Sequence, residues 1–214
     1  MLGLTEILLG TTSVSCFALI WRNTRLSADL ATARHEADHD PLTGLPNRRA
    51  LVRHLTALLA DRNRPVSVAL LDLNGFKAIN DRHGHAAGDS VLCHVAAAIV
   101  ALDLPAAYVG RMSGDEFLII TDDGERTGRA NAAAIGAALL GITLTIFGEE
   151  VNCPASIGLA VADDNTRTAS ALLQRADAAM YDAKRHGVTV QQWHHTTAAT
   201  ATATKTTATR RRYR

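Results

Sequence analysis

Two adjacent acids in the middle of the chain are the first candidates for chemistry. Asp115 and Glu116 follow the small residues Ser113 and Gly114, and an apolar run lies on each side of the four. Two short apolar runs joined by a small-residue turn predict a β-hairpin with the acids at its tip. Because like charges repel there, a bound cation is a physical reason to place the acids together. A solvated acidic turn is the alternative that these residues leave open.

A third acid, Asp72, stands at the end of a nearly continuous apolar run that begins at Val66. Such a run predicts a central strand, and an acid at its end must stay hydrated or meet a cation. Asp72 could therefore meet Asp115 and Glu116 across neighbouring strands and hold a hard divalent ion. Oxygen ligands suit Mg²⁺, which keeps several waters and takes few protein carboxylates. The alternative for Asp72 is a cap at the strand end.

A glycine-containing turn at 74–77 offers a second kind of chemistry, because its exposed backbone N–H groups could cradle phosphate oxygens. Further along, Asn80 and Asp89 provide an amide and a carboxylate. Together they can match the donors and acceptors of guanine, and the carboxylate would reject adenine. Taken singly, Asn80 could be a turn residue and Asp89 a helix cap.

Hydrophobic spacing predicts the elements that must position these residues. Asn47 is the expected cap of the first helix, and Pro65 ends its pattern. The predicted elements are a helix at 48–62, a strand at 66–72, a helix after residue 89, the hairpin around 113–116, a helix at 124–141, a strand pair at 142–147 and 152–161, and a helix at 170–186.

These stretches together resemble the GGDEF family of bacterial diguanylate cyclases, with Ser as the first residue of the signature. Five blocks in the family's order cover roughly residues 38–187, which is far more specific than any one block. The blocks are DPLTGLPNRR at 40–49, DLNGFKAIND at 72–81 followed by GHAAGD at 84–89, SGDEF at 113–117, ASIGLA at 155–160, and ADAAMYDAKRHG at 176–187.

The resemblance implies an α+β domain like those of nucleotide cyclases and polymerase palms, with a mostly antiparallel central sheet flanked by helices. The predicted order of elements agrees with it. The implied activity is the condensation of two GTP into cyclic di-GMP and two pyrophosphates, dependent on Mg²⁺ (or Mn²⁺), at the interface of a homodimer. The alternative is a weak or inactive domain that binds GTP or a dinucleotide as a regulator or scaffold.

The resemblance also assigns roles to individual residues. Asp115 and Glu116 are the implied catalytic acids, and they share metal binding with Asp72 and the carbonyl of Leu73. Lys184 is the implied phosphate-binding cation near the end of the last helix. The implied substrate-binding residues are Phe76, Lys77, Asn80, Asp89, Ser113, Gly114 and Lys184.

Two departures from the family pattern bear on function. The family usually places an Arg four residues after the phosphate-binding Lys, where this chain has Val188, so one phosphate contact is expected to be missing. The inhibitory product site of many members is an Arg-x-x-Asp motif, and Leu104 and Ala107 stand at its positions. No inhibitory product site is therefore expected.

Length, charge and cysteine content limit the possible domain organisation and partners. With 214 residues, of which 47% are hydrophobic, the chain can form one compact domain plus appendages. A formal charge of +1 gives no global reason to expect nucleic acid as a partner. Cys16, Cys93 and Cys153 are far apart and fit no metal spacing; Cys93 and Cys153 are expected to be buried thiols in a reducing compartment.

The first 21 residues predict a transmembrane anchor, because an apolar stretch there ends at Trp21 and Arg22 and Arg25 follow it. This places a single-pass protein in the bacterial inner membrane with its catalytic domain in the cytoplasm; a buried or interfacial helix is the alternative. We expect a connecting helix at 22–39, the GGDEF domain at 40–193, and a disordered Thr/Ala-rich basic tail at 194–214. The connecting segment could instead be a plain spacer.

Overall fold

The apolar run before Asp72 forms the central strand of a five-stranded sheet. The computed structural model describes residues 3, 19–26, 37–146 and 148–194. The central strand, β1, spans Ser67–Leu73 and pairs antiparallel with β3, Glu116–Thr121, and with β6, Ala155–Val161. At the edges, β2 (Ala107–Ser113) pairs antiparallel with β3, and β7 (Val190–Gln192) pairs parallel with β6. The predicted mostly antiparallel sheet is confirmed, with one parallel edge.

Helices cover both faces of this sheet. On one face lie α1, Arg48–Ala60, and α5, Ala169–His186, whose buried side chains form one core cluster with the sheet. On the other face, a second core cluster includes residues of α2, Phe76–His83, α3, His85–Ala101, and α4, Gly124–Leu140. The predicted α+β architecture is therefore observed as three layers.

Burial on both faces explains why β1 has a continuous apolar sequence. Side chains alternate along a strand, so Leu70 points toward α1 and α5, whereas Leu71 points toward α3 and α4. Both leucines are at most 1% exposed. Fully burying one such side chain contributes about 1.5–3 kcal/mol, so this packing fixes the strand and the position of Asp72 near its end.

Several predicted boundaries hold and others are wrong. Asn47 caps α1 as predicted, since its Oδ1 accepts from the Ala50 N–H at 3.1 Å. The turn predicted at 74–77 is confirmed at residues 74 and 75 only, because α2 begins at Phe76. The strand pair predicted at 142–147 and 152–161 was wrong: β4 (Thr143–Ile146) pairs with β5 (Glu149–Asn152), while β6 joins the main sheet. Pro154 separates β5 from β6, because it lacks the N–H that a continuing ladder needs.

The N-terminal predictions fall mainly outside the described residues. Residues 19–26 are helical, whereas most of the predicted anchor at 1–21 and most of the connecting helix at 22–39 are not described. Among the residues that are described, no helix has the length and apolar character needed to cross a membrane. All but one residue of the predicted tail at 194–214 also lies outside the description, so these remain predictions.

Candidate functional site

Strand register brings the three acids together. Asp72 lies directly opposite Glu116 in the antiparallel pair of β1 and β3. The backbone N–H of Leu73 donates to the carbonyl of Asp115 at 3.3 Å, which places the hairpin tip against the end of β1. Leu73 is the last residue of β1, and its side chain is buried. The predicted meeting of Asp72 with the acidic pair is therefore observed.

The tip of the hairpin is a tight, polar turn. Gly114 has a φ of 50°, a left-handed conformation that glycine adopts without steric cost. The hydroxyl of Ser113 donates to Oε2 of Glu116 at 2.5 Å. Ser113 is thus accommodated at the first signature position and restrains one of the two acids.

The sequence did not predict the contacts of Arg111 that fix the position of the hairpin tip. Arg111, which precedes the turn on β2, donates from Nε and Nη2 to the carbonyl of Gly114 at 3.0 and 2.8 Å. Its Nη1 lies 2.9 Å from Oδ1 of Asp40, and these two side chains are only 13% and 19% exposed. The only sequence signal was a cation two residues before the turn. Its partner is 71 residues away in the chain.

The electrostatics of the tip indicate a place for a cation. Burial, followed by the nearby charge of Asp72, raises the pKa of Asp115, and Glu116 adds to this effect. Lys184 offsets it in part and forms an ion pair with Oδ1 of Asp72. The site therefore has an excess of negative charge that Lys184 only partly neutralises.

The donor set fits a hard divalent ion. In the described part of the chain, no group of three His, Cys, Asp or Glu side chains is arranged as a metal-binding cluster. Mg²⁺ does not require one, because it binds through one or two carboxylates and takes its remaining ligands from water and phosphate. Asp72 and Asp115 can supply those carboxylates once Lys184 leaves Asp72. The predicted role of Glu116 and of the Leu73 carbonyl stays a prediction.

Two clefts meet at Lys184. The first is lined by the three acids and the turn, together with Arg48, Leu70 and Met112. The second contains Lys184 itself with Asn74, Ser156 and Val188. Lys184 lines the second cleft and contacts Asp72 of the first, so this ion pair lies between the two clefts. Arg48, for which the sequence suggested no role in the site, lines the first cleft with the acids.

The start of α2 faces the second cleft. Gly75 has a φ of 77° and precedes the helix, whose first-turn amides have no acceptor within the helix. Asn74 anchors this corner, since its N–H donates to the Pro154 carbonyl at 2.7 Å. The predicted phosphate ligands Phe76 and Lys77 thus contribute amides at a helix N-terminus, where the helix dipole favours anions.

Asn80 and Asp89 lie on the two helices that follow. Asn80 is in the last turn of α2, and Asp89 is exposed inside α3, so its alternative role as a helix cap is wrong. Gly84, with a φ of 82°, makes the sharp corner between the helices. The predicted pair therefore stands on one helical corner beside the turn at Asn74 and Gly75.

The positions that depart from the family pattern are also placed by the structure. Val188 lines the second cleft with Lys184 and is 41% exposed. Ala107 begins β2, and Leu104 lies in the loop before it, packed against the core. The expected absence of an inhibitory product site stays a prediction.

Comparison with known proteins decides the family. The family described as "Diguanylate cyclase, GGDEF domain" matches residues 37–189, more than half of the chain. This chain belongs to the GGDEF family. Diguanylate cyclase DgcP of Escherichia coli K12 is 38% identical over 157 residues, covering 69% of this chain and 44% of DgcP. Diguanylate cyclase TpbB of Pseudomonas aeruginosa PAO1 is 38% identical over 167 residues, covering 75% of this chain and 38% of TpbB. This GGDEF chain thus spans less than half of either relative.

Solved structures show the same GGDEF fold. The coiled coil and GGDEF domain of DgcB from Caulobacter crescentus, in complex with c-di-GMP, gives a TM-score of 0.77 at 26% identity. That match covers 85% of this chain and 99% of the DgcB chain. The GGDEF domain of TpbB from P. aeruginosa gives a TM-score of 0.66 at 35% identity, covering 73% of this chain and 94% of that one.

Proposed function

We propose that this GGDEF chain is a diguanylate cyclase, which condenses two GTP into cyclic di-GMP and releases two pyrophosphates. The observation that carries the proposal is the strand register that places Asp72 against the acidic pair Asp115 and Glu116, beside Lys184. Two relatives with the name diguanylate cyclase support it.

The acids and the neighbouring amides have separate tasks in this scheme. Asp72, Asp115, Glu116 and the Leu73 carbonyl would hold Mg²⁺ (or Mn²⁺), which would stabilise charge on the reacting phosphate and help to ionise the attacking hydroxyl. The N–H groups of Phe76 and Lys77 would bind phosphate oxygens.

Lys184 would exchange partners when substrate binds. In the structure its ammonium is paired with Asp72, and it also lines the cleft that faces α2. If Asp72 held a divalent ion, the ammonium of Lys184 would be released to bind a phosphate as a point charge. Lys184 is therefore assigned to neutralise Asp72 before substrate binds and the triphosphate afterwards.

Two chains are needed to complete the reaction. Each chain would hold one GTP, and the 3′-hydroxyl of one nucleotide would attack the α-phosphate of the other. Each attack forms one phosphodiester bond and breaks the bond to pyrophosphate, and two attacks close the ring. A homodimer that brings two sites face to face supplies the proximity that this chemistry requires.

A second candidate function is that of a GTP- or dinucleotide-binding regulator without turnover. Val188 favours this alternative, because the cleft beside Lys184 has an apolar residue where the family usually has an Arg. The test is turnover of GTP with Mg²⁺ by the full chain, held as a dimer by an added dimerising segment, next to Asp115→Ala. Cyclic di-GMP from the native chain alone supports the cyclase, whereas GTP binding without product from a confirmed dimer supports the regulator.

The cellular location proposed for the cyclase rests on sequence. The apolar stretch within residues 1–21 and the following Arg22 and Arg25 are the basis for a single-pass anchor in the bacterial inner membrane. The domain would then lie on the cytoplasmic side, where GTP is available. Fractionation of cells that produce the full chain, before and after deletion of residues 1–21, tests this placement.

A further inference from the structure

Gly88 lies where α3 packs against the end of α2. A Cβ atom on residue 88 would stand 2.0 Å from Oδ1 of Asn80 and 2.9 Å from its Cγ. Contacts of this length are far below van der Waals separation, so any larger residue would force a shift. The side-chain amide of Asn80 thus occupies the space that the missing side chain of Gly88 leaves open.

The surroundings leave the Asn80 side chain as the group that must give way. Its backbone is fixed at the corner, because its carbonyl accepts from the Gly84 N–H at 2.8 Å. Phe76, whose Cζ would be 3.1 Å from the same Cβ, is 9% exposed and belongs to the core. An alanine at position 88 would therefore displace the Asn80 amide rather than the helices or Phe76.

We propose that Gly88 is a positioning residue for base specificity, which seats the amide of Asn80 beside Asp89. This inference rests on the proposed function in that Asn80 and Asp89 face the base of GTP. Asp89 follows Gly88 directly, so the amide of Asn80 packs against the helix one residue before the position that carries the carboxylate. Guanine offers N–H donors at N1 and N2 to such a pair, whereas adenine has no donor at N1.

Specificity of this kind depends on placement as well as on residue type. A site built to hydrogen-bond one base rejects another because polar groups are otherwise left unpaired. A displaced Asn80 amide would no longer match guanine, although Asp89 and the phosphate-binding amides of α2 would be unchanged. Gly88→Ala should therefore weaken GTP binding more than ATP binding.

The experiment measures equilibrium dissociation constants of GTP and ATP for the full chain with Mg²⁺. The native chain should prefer GTP, and Gly88→Ala should reduce the ratio of GTP to ATP affinity about tenfold, the effect of one lost hydrogen bond to a charged or buried group. Gly128→Ala is the matched control, because its Cβ would stand 2.1 Å from Oγ of Ser67, at the opposite end of β1 from Asp72. The control should leave the ratio unchanged.

A double variant tests whether Gly88 acts through Asn80. Asn80→Ala removes the atoms that clash, so the double variant Asn80→Ala/Gly88→Ala should be more stable than Gly88→Ala and should have the selectivity of Asn80→Ala. If Gly88→Ala alone does not fold, the selectivity of the double variant can still be compared with that of Asn80→Ala.

Three results would overturn the inference. They are an unchanged GTP to ATP ratio in Gly88→Ala, a double variant that is less selective than Asn80→Ala, and a native chain with no preference for GTP. By contrast, a selective native dimer that forms no cyclic di-GMP would contradict the proposed cyclase but leave the role of Gly88 intact.

Discussion

The charge of Asp115 would serve metal binding in the proposed cyclase, but it destabilises the fold. Burial and the charge of Asp72 raise its pKa, so ionising it costs the folded state free energy. That cost is absent below the pKa of the unfolded chain, near 3.9, and is complete above the raised folded value. At neutral pH without metal the carboxylate is therefore a destabilising group.

The substitution Asp115→Asn should separate the effect of this carboxylate on stability from its effect on activity. We expect the melting temperature in metal-free buffer to rise at pH 7, because the buried charge is removed, while cyclic di-GMP formation falls at least ~100-fold with the loss of a metal ligand. Thermal unfolding and a turnover assay measure the two effects. A lower melting temperature at pH 7, or activity near that of the native chain, would contradict this account of Asp115.

Val188 should limit the affinity for GTP. It is 41% exposed in the cleft with Lys184, so an Arg there has room to extend toward the phosphates. A charge-assisted hydrogen bond is worth about 1.5–3 kcal/mol, so Val188→Arg should tighten GTP binding about tenfold or more. Val188→Met is the control, because methionine also has a long, unbranched side chain but carries no charge. Equal affinities of the two variants would show that this position does not face the phosphates.

At the scale of elements, the acidic hairpin depends on a segment far away in the sequence. Asp40 precedes α1, and Arg111 joins it to the carbonyl of Gly114 at the hairpin tip. Burial raises the pKa of Asp40, but the Arg111 guanidinium and the hydrogen bonds from Thr43 outweigh it, so the net pKa lies below its usual range. The ionised form of Asp40 is thus the one that stabilises the fold.

Asp40→Asn should therefore weaken both the fold and catalysis. Loss of this largely buried ion pair is expected to lower the free energy of unfolding by about 1–3 kcal/mol at pH 7. The looser hairpin should lower turnover about tenfold, because small misplacements of catalytic groups are costly. Urea denaturation and the cyclase assay test the two expectations.

The pH dependence of the difference between native chain and Asp40→Asn has a definite sign. Since the folded pKa is lowered, the contribution of Asp40 is complete above the unfolded pKa, near 3.9, and is lost as the pH falls through the folded value. The stability gap should thus shrink below about pH 4. Asp38→Asn is the matched control, because Asp38 pairs with Arg49 and Arg53, which are 62% and 59% exposed. A gap that grows with acid, or an equal loss of turnover in the control, would disprove the role of Asp40.

Strong local patterns made much of this architecture predictable. The apolar run of β1 requires burial on both sides, so the central strand and the acid at its end followed from sequence. The small residues Ser113 and Gly114 between two apolar runs likewise predicted the hairpin. The meeting of Asp72 with Asp115 and Glu116 could be inferred, because neighbouring strands bring their ends together at the same edge of the sheet.

Features set by tertiary contacts were not predictable in the same way. The helix α2 has only eight residues, and Gly75, which precedes it, has a left-handed conformation that the hydrophobic pattern does not reveal. The contact of Arg111 with Asp40 joins distant segments and leaves no periodic signal. The packing of Asn80 against Gly88 depends on the angle between two helices, which sequence spacing does not give.

At the scale of the whole molecule, the proposed chemistry needs two functional sites in one dimer. A mixture of native chain and Asp115→Asn, allowed to exchange subunits, should form cyclic di-GMP at a rate that falls with the square of the native fraction. Mixed dimers have one impaired site and cannot complete both bonds. A rate that falls linearly with the native fraction would indicate that each chain acts alone.

The most direct measurement is the stoichiometry of products from GTP and Mg²⁺, using the full chain in a confirmed dimeric state. The proposed cyclase predicts one cyclic di-GMP for every two pyrophosphates, with neither product formed by Asp115→Asn. Pyrophosphate without the cyclic dinucleotide, or no product from a dimer that binds GTP, would contradict it.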